Sequence, residues 1–238
     1  MSLKEKLAAK RQDIKDKSKG YQYFVAKEGT SRFRILPTGD EEKDWSIEAT
    51  TFYLGQELGL VISPHTFGEK CALMKAHTEL MNSKDEKDRA IGKRLKPTKK
   101  FFMAAVKYKD EKGGEIDMEA GVKLLMLTPG ITGELIELYL DENEAGDFTD
   151  VENGYDIKIS RTGKTKMDTE YTLRACKPTP LRNKKLAKQS YDPEAMLKEI
   201  MPDYKATKAK LEQYLNLPAE DDDTPTKKAK KKKRNKDM

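Results

Sequence analysis

The sequence predicts a mainly β protein with helices, an α+β fold, on three observations. Short stretches rich in β-branched and aromatic residues alternate apolar and polar positions, as half-buried strands do. A charged stretch of helical composition interrupts them between Ser63 and Lys96. Two proline-led helix starts, Asp192-Pro193 and Pro202-Asp203, close the ordered part of the chain.

Taken in order, residues 3–17 carry Leu3, Leu7 and Ile14 at helical spacing among lysines and arginines. That is too little apolar surface for a core helix, so residues 1–20 are read as a basic N-terminal arm. Ser31 to Leu36 reads as a strand, with Phe33 and Ile35 on one face and Arg32 and Arg34 on the other. Trp45 to Leu54 reads as a second strand. Phe67 to Met81 and the charged run to Leu95 form a helical insertion, about residues 63–96, ended by Pro97. Lys99 to Lys109 is the clearest strand, with Phe102, Ala104, Val106 and Tyr108 on one face and Lys99, Phe101, Met103, Ala105, Lys107 and Lys109 on the other. Val122 to Leu127 is a strand, a turn is read at Pro129-Gly130, and Ile131 to Leu140 is a helix. An acidic loop, Asp141 to Glu152, precedes a hairpin of Tyr155 to Arg161 with Thr169 to Arg174. The division expected is a core over 21–181, C-terminal helices over 182–218, and a disordered tail over 219–238 that is acidic at Glu220 to Asp223 and basic from Lys227.

Charge is segregated along the chain. The formal net charge is +6, but the tail from Lys227 holds eight Lys or Arg and one Asp, so the rest is nearly neutral. Within that rest, Arg89 to Lys109 holds eight basic residues and no acid, and Ile157 to Ser190 holds ten basic against two acidic. Asp110 to Asp156, between them, holds fourteen acidic residues against two lysines. Such separation can make one face positive on a neutral body. A groove for single-stranded nucleic acid needs cations along the phosphates and rings on which bases stack. The residues that supply both are Arg32, Arg34, Lys99, Phe101, Lys107, Tyr108, Lys109, Lys158, Arg161, Lys164, Lys166, Tyr171 and Arg174, while Phe33 and Tyr155 look like core. The plain alternative is a solvated sheet surface over core aromatics.

Other chemistry is poorly supplied. Neither a phosphate-binding glycine loop, a nucleophile elbow nor a His-Glu-x-x-His pair is present, so no catalytic residue is assigned and no enzyme is expected. His65, Cys71 and His77 lack the spacing of a paired-cysteine site and a fourth ligand. Cys71 and Cys176 are expected to stay reduced. No run approaches a membrane span and the N-terminus is too polar for a secretory signal, so an intracellular protein is expected.

The order of motifs resembles the single-stranded DNA-binding proteins of tailed bacteriophages, similar to the helix-destabilising protein of T-even phages. The matching stretches are RFRILP from Arg32, PHTFGEKC from Pro64, KRLKPTKK from Lys93, GDFTDVENGYDIKI from Gly146, and the RTGK, TEYTL and PTPL segments from Arg161 to Leu181. The resemblance implies an OB-fold five-stranded barrel with the inserted subdomain, and cooperative, largely sequence-independent coating of single-stranded DNA in phage replication, recombination and repair. It implies self-association along the strand through the N-terminal arm, phage replication or recombination enzymes as partners of the C-terminal tail, no membrane partner, and a place in the host cytoplasm. Relatives often hold zinc in the insertion through Cys-x-x-Cys. Here Cys71 matches the first position, but Met74 stands at the second and Ser63 where an earlier cysteine is common. No metal or other cofactor is therefore expected, with packing of Phe67, Leu73 and Met74 in its place. A basic protein that packages duplex DNA or RNA through arm and tail is the alternative, and a metal-dependent nuclease using the acidic loop is a third class.

Overall fold

The computed structural model describes residues 23–40, 42–141, 146–163 and 168–216. The arm, the tail, part of the acidic loop, and Lys164 and Lys166 lie outside the described residues. The strands are β1 (Tyr23–Phe24), β2 (Gly29–Ile35), β3 (Ile47–Tyr53), β4 (Leu60–Ile62), β5 (Thr98–Lys107), β6 (Lys123–Leu127), β7 (Ile157–Thr162) and β8 (Glu170–Ala175). The helices are α1 (Gly55–Leu58), α2 (Ala72–Met81), α3 (Glu86–Arg94), α4 (Pro129–Leu140), α5 (Lys184–Ala187), α6 (Pro193–Ile200) and α7 (Tyr204–Asn216), with a 3-10 turn at Pro64–Phe67.

The architecture is mixed α+β around one eight-stranded sheet, in the order β1-β6-β5-β2-β7-β8, with β3 joined to β5 and β4 joined to β3. This corrects the expected barrel: among the described residues no pairing links β6 or β1 to β8, so five strands do not close a ring. β5 is the hub. Its first half pairs with β3, from Thr98 opposite Thr51 to Phe102 opposite Ile47. Its second half pairs with β2, from Ala105 opposite Ile35 to Lys107 opposite Phe33, and its other edge pairs with β6.

The two-faced reading of β5 does not hold, because both faces are covered. Met103 and Ala105 join Phe33, Ile35, Leu125, Ile157 and Ile159 in a core capped by Ile131 and Leu135 of α4. Phe102 packs with Ala49, Leu124 and Leu197 of α6, and Ala104 and Val106 pack with Leu181, Leu186 and Tyr191. The helices that follow the hairpin thus cover the half of the sheet that α4 leaves open. Phe33 and Tyr155 are core, at 0% and 1% exposure.

Local chemistry explains the helix ends. Asp85 caps α3 by accepting from the Lys87 amide, with Glu86 and Asp88 in the first turn and Lys93 and Arg94 in the last, each sign matched to the helix dipole. Asp192 caps α6, with Pro193 at its first position. Pro129 and Gly130 lie within the first turn of α4 instead of forming a separate turn. Proline is suited to that place because a first-turn amide has no intrahelical acceptor.

The insertion has its own core of Phe52, Leu54, Val61, Cys71, Leu73 and Leu95, with Met74 and, from α7, Leu211 and Tyr214 packed against it. The buried Thr207 hydroxyl of α7 accepts from the Ala72 amide at the start of α2. Phe67 packs elsewhere, with the Phe102 cluster and beneath the Lys198 ammonium. Zinc does not fit here. Cys71 is buried among apolar side chains, Ser63 accepts from the His65 amide, and His77 Nδ1 is bonded to the Gly92 carbonyl. No three His, Cys, Asp or Glu among the described residues are grouped to hold a metal ion. Among those residues, too, no helix is long and apolar enough to cross a membrane.

Leu73 is fully buried where α2 meets the rest of the insertion core. Leu73→Ala should cost about 2–5 kcal/mol by leaving a cavity, read as a lower urea midpoint at unchanged slope. A loss below about 0.5 kcal/mol, the range of surface changes, would contradict this packing.

Candidate nucleic-acid interface

The strand register brings three basic residues into one line. Arg32 of β2 lies opposite Lys158 of β7, and Lys158 lies opposite Arg174 of β8. Residues directly opposite across strands share a face, and strands lie about 4.8 Å apart, so the three Cα atoms span about 10 Å. The next row on the same face is hydroxylic: Thr30 opposite Ser160, with their oxygens 2.9 Å apart, and Ser160 opposite Thr172. Arg174 and Thr172 are exposed and Lys158 is half-buried. β8 alternates accordingly, with Tyr171 and Leu173 half-buried on the core side.

The inner end of the row is fixed by one carboxylate. Asp156 is 1% exposed. Its Oδ2 accepts from Arg32 Nε at 2.8 Å and Nη2 at 2.5 Å, while Oδ1 accepts from the Tyr108 hydroxyl at 3.0 Å and from Arg34 Nη1 at 3.5 Å. Arg34 also donates to the Thr179 carbonyl at 3.2 Å and the Asp150 carbonyl at 2.7 Å. Arg32 donates to the Lys112 carbonyl at 2.6 Å and lies 5.0 Å from the centre of the Tyr108 ring. Two guanidiniums on one carboxylate leave a surplus positive charge, and it is Arg32, with 13% of its side chain exposed, that reaches the surface.

Two glycines make the close packing possible. Gly113, at φ 77°, lies against the Arg32 guanidinium, where a Cβ would collide with it. At Gly154 a Cβ would run into the Asp150 and Phe148 carbonyls and approach the Arg34 guanidinium. Burial shifts the neighbouring acidities. Desolvation, reinforced by the charge and hydrogen bond of Asp156 and opposed by both arginines, pushes the Tyr108 phenol up to about 12. Burial first, and Asp147 second, push Tyr155 up to about 12. For Arg32, burial acts to lower the pKa, but the hydrogen bond and charge of Asp156 outweigh it and the guanidinium is raised.

The expected binding residues therefore divide. Arg32, Lys158 and Arg174 share the outer face. Arg34 and Tyr108 do not serve as surface groups: at 1% and 6% exposure they are committed to Asp156, because β2 is covered on both sides by β5, β7 and the loops at 150 and 179. Lys107, opposite Phe33, and Arg161, opposite Gly29 and Tyr171, lie on the other side of the sheet. The Arg161 Nε is buried with no hydrogen-bond partner among the described residues. Phe101 and Tyr171 are also on that side, half-buried against the main core. Tyr171 lines a narrow groove with Lys100, Val25, Ala26, Met126 and Thr128, where β6 and β8 approach without pairing. Lys99 and Lys109 are exposed and paired with Glu48 at 2.5 Å and Glu115 at 2.8 Å. Residue-by-residue reading missed Asp156, which it counted among the acidic-loop charges, and the hydroxyl row. The Arg-Phe-Arg alternation was the available signal, since a buried strand carrying two arginines needs an acid beside it.

A solvent-facing basic row on a sheet is the build of a surface that holds a polyanion. The family model described as gp32 DNA binding protein like matches residues 27–217. The chain belongs to that family, as the motifs from Arg32 to Leu181 imply. Comparison with curated proteins finds no match.

Asp156→Asn should cost about 3–5 kcal/mol in urea unfolding, because it leaves two guanidiniums without their counter-charge; a change within about 0.5 kcal/mol would show that the carboxylate is not central. Tyr108 and Tyr155 hold their protons to about 12 in the fold, against 10.0 for an ordinary phenol. Their folded pKa values being raised, the stability they contribute is complete below pH 10 and is lost as pH rises from about 10 through about 12. Denaturation midpoints should fall across that window, less so in Tyr108→Phe. A flat profile would contradict their burial.

Proposed function

We propose that this protein binds single-stranded DNA without regard to sequence, with the row Arg32, Lys158 and Arg174 on the phosphates and the hydroxyls Thr30, Ser160 and Thr172 beside them. The row is the observation that carries the reading: its groups are cations and hydroxyls, which hold a backbone in register but read no bases. Rings for stacking lie on the other side of the same sheet, Tyr171 in the groove between β6 and β8 and Phe101 nearby, with Arg161 on the side of the rings. A strand crossing the β7–β8 hairpin meets phosphate-binding groups on one face and a stacking surface at the other. Lys164 and Lys166, which follow β7 in the sequence, add charge to the binding surface, and Lys99 and Lys107 of β5 and Lys109 just after it extend it.

The sheet supports an OB-type origin for this surface. β2 pairs on both edges and α4 lies between β6 and β7 in the chain, an order that supports reading the sheet as an OB-type barrel left open at the β6–β8 seam. With the family and its phage-type motifs, the role proposed is coating and protecting unpaired DNA in phage replication, recombination and repair, in the cytoplasm of the infected host, without chemical turnover. Copies associate along the strand through the N-terminal arm, and the C-terminal tail recruits replication or recombination enzymes.

Competition between single- and double-stranded oligonucleotides across a salt series tests this on the full chain. Single strands should win, and Lys158→Ala and Arg174→Ala should each flatten the log-log salt slope by about 0.7. Tyr171→Ala should cost about 1–3 kcal/mol, the worth of one base stack. Equal binding of duplex, with slopes unmoved by these substitutions, would transfer the activity to the arm and tail and defeat the proposal.

A further inference from the structure

The outer surface of α4 is apolar where nothing described covers it. Ile136 and Leu140, one turn apart, are 41% and 70% exposed. Helical spacing sets an acidic strip beside them: Glu134, Glu137 and Asp141 line a groove with Leu138 and with Leu173 of β8. Glu134 and Glu137 have no ion-pair partner among the described residues, although lysines and arginines make up much of the chain. This surface adjoins neither Arg32 nor Lys158, which face the other side of the sheet, and its charge is wrong for phosphate.

We propose that this α4 surface is the docking site for the N-terminal segment, residues 1–22, of a second copy of the chain. The inference rests on the self-association put forward above and supplies the surface that receives it. Leu3, Leu7 and Ile14 recur at a spacing that places all three within about 40° of one another around a helix at 100° per residue. Lys4, Lys6, Lys10 and Arg11 border them. Leu3 to Ile14 covers about 17 Å as a helix at 1.5 Å per residue, and α4, with 12 residues, covers about 18 Å. An apolar stripe bordered by acids thus meets an apolar stripe bordered by bases, of the same length. The basic tail segment, Lys227 to Lys236, offers no apolar side chain larger than that of Ala229 to set on Ile136 and Leu140.

A charge swap in full-length protein, without DNA, tests the pairing. In sedimentation equilibrium at low salt, Glu134→Lys with Glu137→Lys should weaken concentration-dependent self-association by about tenfold or more, since like charges then oppose each other across the contact. Lys6→Glu with Lys10→Glu should weaken it similarly. Mixing the two variants should restore a heterodimer of near wild-type affinity, a rescue that damage to the fold would not produce. Leu140→Ser, at an exposed position, should weaken association with the thermal midpoint retained. Association unaffected by the α4 charges overturns the proposal. So does rescue by reversing tail lysines in place of arm lysines, or a contact between arm and α4 that crosslinks only within one chain and does not depend on concentration. Affinity for an oligonucleotide too short for two copies is measured alongside. Loss of that affinity's dependence on Lys158 and Arg174 would remove the binding surface, whereas loss of the swap rescue would remove the α4 contact alone.

Discussion

The Asp156 carboxylate joins parts of the chain that have no other reason to meet. It is the residue before β7, and around it close Arg32 and Arg34 of β2, Tyr108 at the end of β5 and, through the arginines, the carbonyls of Lys112, Asp150 and Thr179. A buried charge left alone is expensive, and a buried pair is weak evidence for stability by itself. Its value here is positional. Arg32 has a mostly buried guanidinium whose orientation is set by two hydrogen bonds to one oxygen and one to a backbone carbonyl, so the first cation of the surface row is held in place before any ligand arrives. Lys158 and Arg174 then follow by strand register alone.

That division between fixed and free cations explains why the outer-face basic row is small relative to the basic content of the chain. Arg34 and Tyr108 are consumed in holding the loops, Lys99 and Lys109 are exposed but paired with glutamates, and Lys107 and Arg161 sit on the other side of the sheet. An exposed pair such as Lys99 with Glu48 is worth little in water, so it can open to meet a phosphate at small cost. A pair as buried as Arg34 with Asp156 cannot.

Most of the elements were legible because each carries a local signal. The alternation in Ser31 to Leu36, the Asp192-Pro193 start and the strand pair around Gly163 all appear where their chemistry puts them. What was not legible was the second covering layer. Alternation of lysine and apolar residues along β5 reads as one wet face, yet Met103 and Ala105 are buried by α4 while Ala104 and Val106 are buried by the segment ending in α6, elements more than twenty residues away in sequence. The same distance hid the fate of Arg34. The two-residue β1 and three-residue β4 are shorter than any pattern can reveal. For the insertion, the absence of a second and third thiolate was plain in the residues themselves, but that α7 would bring Leu211, Tyr214 and the Thr207 hydroxyl against it was not.

β5 is shared by three partners, and this has a consequence for how the molecule can deform. Side chains on a strand alternate with a period of two, so sliding β5 by a single residue against any neighbour would carry Met103, Ala105 and Lys107 together to the face now filled by Phe102, Ala104 and Val106. Because β3, β2 and β6 all hold it at once, no partner can change its alignment without the other two changing theirs. The helical insertion, strung between β4 and the start of β5, is therefore geared to the cation-bearing strands at the far end of the same ten residues, and a load applied at one end of the molecule is met by the whole sheet.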